Sequence, residues 1–229
     1  MAQNKRQERL KARRKKERQG QLRNMALIGV AAVAIVGVII WNNFRPVPPR
    51  LHPMEEDNRL GDPNAPVVLE EFADFQCTFC QNYYLETAEQ VIEQFVATGD
   101  VYYIFYALPF LGQNSQVAAE ATYCAGEQER FWDFHDNLFN NFATNLTPAG
   151  MISRARRLDL DVASFETCQN TGEMTERVSE SMAYAQSLGV EGTPAFAING
   201  QLVIEGAQPF DAFRQAIENA LTQAVPAGK

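Results

Sequence analysis

Lysine is absent from most of this chain, since none occurs between Lys16 and Lys229. Half of the 20 Lys and Arg residues precede Met25, where only Glu8 and Glu17 oppose them. All the other Asp and Glu residues lie farther along, so the net charge of −8 averages a basic tail and a strongly acidic remainder. The acidic remainder argues against nucleic-acid binding, because neutralising phosphates requires basic side chains.

Cysteine and histidine are also scarce, with four and two residues. A zinc site usually combines two pairs of closely spaced ligands. Only Cys77 and Cys80 are closely spaced, whereas Cys124 and Cys168 stand alone, so we predict no metal site. His135 lies in an aromatic stretch that is typical of helix packing, and we do not predict a catalytic role for it.

The chain has one long apolar run, residues 25–41, without a charged or amide side chain. As a helix it would be about 25 Å long, at the short end of what crosses a bilayer. The basic residues 1–24 before it predict a cytoplasmic tail, and the positive-inside rule then places the rest of the chain outside the cytoplasm. We therefore predict a single-pass anchor in the cell membrane. The alternative is a cleaved signal peptide, which the sequence after the run does not favour.

Residues 42–60 are predicted to be a linker, because their prolines fix φ and disfavour helix in the preceding residues. His52, within this linker, is expected to be solvated. A turn cluster at residues 61–66 opens a folded domain that we place at residues 61–224.

The order of elements in this domain predicts its fold. Apolar runs indicate two strands, residues 67–75 and 101–106, with a helix over residues 80–97 between them. A helical block of about residues 113–189 follows, then a hairpin and a last helix. This β-α-β, helical block, β-β-α order predicts an α/β thioredoxin fold with a helical insertion.

The motif Cys77-Thr78-Phe79-Cys80 directly follows the first predicted strand and lies at the start of the first predicted helix. This layout is typical of a thiol–disulfide exchange site. At a helix N-terminus, the partial positive charge stabilises a thiolate, which is the nucleophile in such exchange. In an oxidising compartment outside the cytoplasm, disulfides also persist.

Five stretches of the chain resemble the DsbA-like branch of the thioredoxin superfamily, in the family's order and over most of residues 61–222. They are residues 61–67, 71–80, 118–125, 131–139 and 189–200. The resemblance implies that Cys77 is the exposed nucleophile and Cys80 its buried partner. It also implies that the loop of Thr193 and Pro194 faces these two cysteines and that the peptide bond between Thr193 and Pro194 is cis.

Further expectations follow from the same resemblance. Glu71 would be the buried acid beneath the site and would relay a proton to or from Cys80. Its neighbour Glu70 points to the opposite face of the strand, so we expect only one of the two to face the core. Cys124 and Cys168 would form a structural disulfide. Thr78 departs from the family, which most often has Pro at this position, and a backbone N–H at residue 78 could reach the thiolate.

The sequence therefore predicts a membrane-anchored protein-disulfide oxidoreductase that oxidises the thiols of client proteins and needs no bound cofactor. The resemblance implies a membrane-embedded, quinone-linked partner of the DsbB or vitamin K epoxide reductase type. Two alternatives remain open. One is a reductase or isomerase of the same fold, and the other is a non-enzymatic, anchored module that binds or chaperones peptides.

Overall fold

The computed structural model describes Met25, Gly29, residues 33–37 and residues 50–224. The chain divides into a first unit of residues 1–49 and a second of residues 50–229. The predicted tail, most of the predicted anchor and residues 42–49 of the predicted linker lie outside the described residues. Among the residues that are described, no helix is long and apolar enough to cross a membrane.

The second unit is built on a mixed sheet of five strands, in the spatial order β1-β3-β2-β4-β5. Strands β2 and β3 run parallel, and the other neighbours are antiparallel. The strands are Arg59–Leu60 (β1), Val67–Ala73 (β2), Val101–Ala107 (β3), Ala195–Ile198 (β4) and Gln201–Glu205 (β5).

A continuous helical segment, residues 78–96, connects β2 to β3; we call it α1, and it includes two wider π-helical stretches, Tyr84–Ala88 and Ile92–Val96. The last helix of the fold is Phe210–Ala224. The ring of Tyr83 on α1 lies 4.5 Å from that of Phe196 on β4 and 5.1 Å from that of Phe213 on the last helix. Both helices therefore cover the same face of the sheet, as the thioredoxin fold requires.

Five helices lie between β3 and β4 and confirm the predicted helical insertion. They are Gln113–Gly126 (α2), Phe131–Asn140 (α3), Pro148–Arg157 (α4), Val162–Thr171 (α5) and Thr175–Ser187 (α6), so that the last helix of the fold is α7. Local chemistry sets several of their ends. The Thr147 side chain accepts from the N–H of Gly150, and Asp161 accepts from the N–H groups of Ala163 and Ser164.

The structure differs from the predicted linker boundary, because residues 50–60 pack onto the domain. Leu60 is fully buried in the core, and the side-chain amide of Asn58 donates to the carbonyl of Phe105 at 2.6 Å. Arg50 donates to the carbonyl of Tyr84 at 2.6 Å, and its guanidinium lies 3.7 Å from the centre of the Tyr84 ring. The sequence pattern missed this segment because it has no apolar periodicity and is held mainly by polar contacts.

Candidate active site

The two cysteines of the motif lie at the connection between the end of β2 and the first turn of α1. Cys77 is the N-cap residue of the helix, and Cys80 lies in its first turn. Both cysteines are unbonded; Cys77 is 8% exposed and Cys80 fully buried. Phe79, between them, is 63% exposed. An incoming group can therefore reach Cys77 but not Cys80.

The loop before β4 brings Thr193 and Pro194 against Cys77. The peptide bond between Thr193 and Pro194 is cis. In its thiol form, Cys77 donates to the carbonyl oxygen of Thr193, which lies 3.2 Å from its sulfur across 116 residues of sequence. On the other side of the motif, the backbone N–H of Asp74 donates to the sulfur of Cys80 at 3.4 Å. The fold thus assembles the predicted dithiol and the predicted loop into one site.

The environment separates the acidities of the two thiols. A hydrogen bond from the Cys80 side chain is the largest effect on Cys77 and lowers its pKa to about 5, against the opposing effect of partial burial. Hydrogen bonds from the Thr193 side chain and from the backbone N–H groups of Cys80 and Phe79 also contribute to this lowering. Burial raises the pKa of Cys80 far above its ordinary value. Cys77 is therefore a thiolate at neutral pH, whereas Cys80 keeps its proton.

The backbone donors to Cys77 lie at Phe79 and Cys80, and Thr78 is not among the groups that shift its pKa. This finding corrects the expectation that the N–H of Thr78 could stabilise the thiolate. The N–H groups that point at the N-cap sulfur belong to the second and third residues of the helix, which is the usual geometry of a helix N-terminus.

Asp74 plays a larger part beside the site than its place in the sequence suggests, which favours only a cap for the helix that follows. This carboxylate is 2% exposed and accepts from three groups: the N–H of Gln76 at 2.7 Å, the hydroxyl of Ser115 at 2.7 Å and the N–H of Leu111 at 2.9 Å. It therefore ties the strand end before Cys77 to the loop before α2. The only signal in the sequence was its place between the strand and the cysteine pair.

Glu70 and Glu71 are both buried, at 5% and 3% exposure, so the expectation that only one of them faces the core is wrong. They do point to opposite faces of the sheet, but helices cover both faces. Tyr184 on α6 donates to Glu70 at 2.8 Å, and Tyr103 on β3 donates to Glu71. Among the described residues, no hydrogen bond joins Glu71 to either cysteine of the motif.

Burial raises the pKa of Glu71 to about 8, against the hydrogen bond from Tyr103 and the more distant charge of Arg50, which both lower it. The carboxyl group is therefore protonated at neutral pH. A buried carboxylic acid of this kind can give up or take up a proton in the pH range where thiols react.

Cys124 on α2 and Cys168 on α5 form a disulfide that closes a loop of 44 residues within the helical insertion. Both are buried, and neither contributes to the site around Cys77. In the part of the chain that the structure describes, no group of three or more His, Cys, Asp or Glu side chains is arranged to hold a metal ion.

A family model described as thioredoxin matches residues 54–219, which is most of the chain. The chain belongs to the thioredoxin family. Within this family it is similar to a protein named probable disulfide bond formation protein D from Bacillus cereus. The two are 27% identical over 207 residues, which covers 85% of this chain and 94% of the relative.

Solved structures that are similar to this thioredoxin-family chain include the following two. α-DsbA1 of Wolbachia pipientis is 26% identical with a TM-score of 0.64, and the match covers 76% of this chain and 96% of that one. Oxidised BdbD of Bacillus subtilis has a TM-score of 0.67 over 72% of this chain and 93% of that one; at 24% identity, it supports the fold alone. The predicted DsbA-like branch and the enzyme class, protein-disulfide oxidoreductase, are confirmed.

Proposed function

We propose that this enzyme oxidises the thiols of client proteins outside the cytoplasm. The observation that carries the proposal is the contrast between its two thiols, one with a pKa of about 5 at the helix N-terminus and one buried with a raised pKa. A stabilised Cys77 thiolate favours the reduced form of the pair, and a pair with a stabilised reduced form is a strong oxidant.

In the proposed reaction, a client thiolate attacks the sulfur of Cys77 in the Cys77–Cys80 disulfide, because Cys80 is inaccessible. The disulfide breaks, a mixed disulfide forms, and Cys80 leaves with the bonding electron pair. Cys80 then takes a proton, which we assign to the carboxyl group of Glu71. A second client thiolate attacks the client sulfur and expels Cys77 as a thiolate. Two electrons pass from the client to the dithiol, and the client gains one disulfide.

The acidity of Cys77 favours the second half of this sequence, since a thiol of low pKa leaves faster. The loop of Thr193 and Pro194 supports client binding as well. The carbonyl of Thr193 lies beside the Cys77 sulfur, and Pro194 has no N–H that would compete for an extended client strand.

Exposed apolar side chains beside the motif support the same reading. Phe79 lies within it, and Phe110 and Leu111 lie in the loop that Asp74 holds; they are 63%, 41% and 55% exposed. An apolar surface around the dithiol suits unfolded clients, which expose their own apolar residues.

The location and the partner belong to the same proposal. The apolar run of residues 25–41 after a basic tail supports a membrane anchor with the tail in the cytoplasm. Electrons taken from clients must leave the Cys77–Cys80 dithiol, and we propose a membrane-embedded, quinone-linked partner of the DsbB or vitamin K epoxide reductase type for this step. Protease added outside intact spheroplasts should then remove the domain and leave the tail; a domain protected until lysis would contradict this orientation.

The direction of the reaction is tested by the redox potential of the Cys77–Cys80 pair, equilibrated with glutathione, together with the oxidation of a reduced model client. We expect a potential well above that of a structural disulfide and client oxidation that is lost in the matched Cys77→Ser variant. A potential as reducing as that of the cytosolic thioredoxins, with client disulfides reduced rather than formed, would favour the reductase instead. Full biological activity of Cys77→Ser would favour a non-enzymatic binding module.

A further inference from the structure

A small cavity lies between the sheet and the helices α1 and α3, and we call it the Glu71 cavity. The N-terminal segment contributes Arg50 and His52 to its lining, and α3 contributes His135 and Asp136. The rest of the lining includes Glu71 on β2, Tyr103 on β3, and Tyr83 and Tyr84 on α1. Every titratable group that faces Glu71 in this cavity is among these residues.

Three buried polar atoms of residues that line this cavity have no hydrogen-bond partner among the described residues: the hydroxyl of Tyr83, Nε2 of His135 and Nη1 of Arg50. Nη1 of Arg50 lies 3.4 Å from a carboxylate oxygen of Glu89, whereas the side chains of Tyr83 and His135 are 1% and 5% exposed. Unpartnered buried polar atoms are costly and call for an explanation, of which a bound water molecule is one. The cavity offers about 10 Å³ to the centre of a water molecule, which is about enough for one. The geometry therefore suits a single water molecule.

Asp136 fixes the chemical form of His135. Its carboxylate lies 2.9 Å from Nδ1 of His135 and, with its other oxygen, 3.1 Å from Nε2 of His52. Burial would raise the pKa of Asp136, but the hydrogen bonds from both histidines outweigh it and lower the pKa to about 2. Because the carboxylate is ionised, Nδ1 of His135 carries the proton and Nε2 is left as the basic atom that faces the cavity.

His52 continues this arrangement towards the solvent. Its Nδ1 atom lies 3.3 Å from a carboxylate oxygen of Glu55, whose side chain is 46% exposed. Burial lowers the pKa of His52, but the hydrogen bond and the charge of Asp136 outweigh burial and raise it. A chain of proton-binding groups thus runs from the cavity to the surface.

Packing alone does not explain a histidine at position 135. Its ring lies among six aromatic rings, and those of Phe105, Phe139 and Trp132 are centred within 5.0 Å of it. Phenylalanine would fill such a site without leaving a polar atom unpartnered. The histidine is therefore better explained by its chemistry than by its shape.

We propose that His135, held by Asp136, is the residue through which the buried carboxyl group of Glu71 exchanges its proton with the solvent, by way of a water molecule bound in the Glu71 cavity. The sequence alone predicted only packing for this residue. His135 does not touch the dithiol; it acts through Glu71, and its use in catalysis rests on the proposed function.

The proton balance is simple. When Glu71 has given its proton to Cys80, His135 with its proton on Nε2 gives that proton through the water molecule to the Glu71 carboxylate, while its Nδ1 takes a proton from Asp136, which is resupplied from the solvent side through His52. His135 is then neutral with its proton on Nδ1, the form that the Asp136 contact favours while the dithiol is reduced. No electrons move in this relay, and it runs in reverse when Cys80 loses its proton.

The test uses infrared spectroscopy of the full-length protein in detergent at about pH 6, below the pKa of Glu71. The protonated carboxyl band of Glu71 is identified by its loss in Glu71→Gln. After transfer to D₂O, the rate at which this band shifts reports the exchange of the Glu71 proton. We expect His135→Phe to slow that exchange by at least about tenfold while preserving the fold.

Further variants separate proton transfer from packing. His135→Gln can hold a water molecule but cannot take up a proton, so we expect it to be as slow as His135→Phe. Asp136→Asn should also slow the exchange, and it serves if His135→Phe does not fold. Phe139→Leu is the matched packing control, because it disturbs the same aromatic group, and it should not slow the exchange.

Wild-type exchange in His135→Phe or His135→Gln, equal slowing in Phe139→Leu, or the lack of a Glu71 carboxyl band would overturn the relay. Client oxidation by the wild-type protein is measured separately, so the two proposals can fail independently. Normal client oxidation with His135-independent exchange would refute only the relay. His135-dependent exchange without client oxidation would refute only the proposed function.

Discussion

The hydrogen bond from Cys80 to the Cys77 sulfur is the contact whose removal should change the chemistry of the site most. It is the largest cause that lowers the pKa of Cys77 to about 5. Cys80→Ala removes this donor, whereas Cys80→Ser keeps a hydroxyl donor in its place. A hydrogen bond to a charged group contributes roughly 1.5–3 kcal/mol. Because one pKa unit corresponds to about 1.4 kcal/mol, we expect Cys80→Ala to raise the pKa of Cys77 by about 1–2 units.

The assay is the rate of alkylation of Cys77 by iodoacetamide across a pH series. In either variant Cys77 is the one reactive thiol among the described residues, because Cys124 and Cys168 are joined in a disulfide. The pH midpoint is compared rather than the rate at one pH, since a thiolate of higher pKa is also intrinsically more nucleophilic.

We expect a midpoint of about 5 to 6 for Cys80→Ser, because its hydroxyl retains the hydrogen bond to the Cys77 sulfur. The midpoint of Cys80→Ala should lie about 1–2 units higher, because this hydrogen bond is lost. The free energy that separates the two variants is then the contribution of the donor. Equal midpoints would refute the reasoning, because they would mean that the backbone N–H groups and Thr193 alone stabilise the thiolate.

Three further predictions follow from the structure. The pKa of Glu71 is raised to about 8 in the folded protein, so its stabilising contribution is present below the pKa that Glu71 has in the unfolded chain and is lost as the pH rises through 8. In urea unfolding, Glu71→Gln should therefore have a free energy of unfolding a few kcal/mol above that of the wild type at high pH, and nearly the same value at about pH 4. Parallel pH profiles of the two proteins would contradict this. Replacing Cys124 and Cys168 by Ala opens a loop of 44 residues and should lower the free energy of unfolding by about 4 kcal/mol, again measured in urea; an unchanged value would show that the reduced chain is already restrained. Thr78→Pro removes no donor to Cys77, so its pKa, followed by alkylation, should stay within about 0.3 units; a larger rise would restore a role for the Thr78 N–H.

The sequence alone was enough to predict the class of fold and the chemistry of the dithiol. Apolar runs and turn residues predicted β2, β3 and the hairpin of β4 and β5 because strand and helix periods are local properties of the chain. The Cys77 and Cys80 pair marked the active site because its spacing, after a strand and before a helix, is itself the chemical feature. The helical insertion was also predictable, although the break between α5 and α6 at Gly172 was not.

Only the tertiary structure decided which distant residues meet. Both Glu70 and Glu71 are buried because helices cover both faces of the sheet, which the alternation of a single strand cannot reveal. His52 and His135 share the carboxylate of Asp136 because the N-terminal segment folds back over α3. Such contacts depend on long-range packing of polar groups, which leaves no periodic signal in the sequence. The dithiol itself could thus be read from the chain, whereas the hydrogen bonds of Asp74 beside it and the buried groups that set the acidity of Glu71 could not.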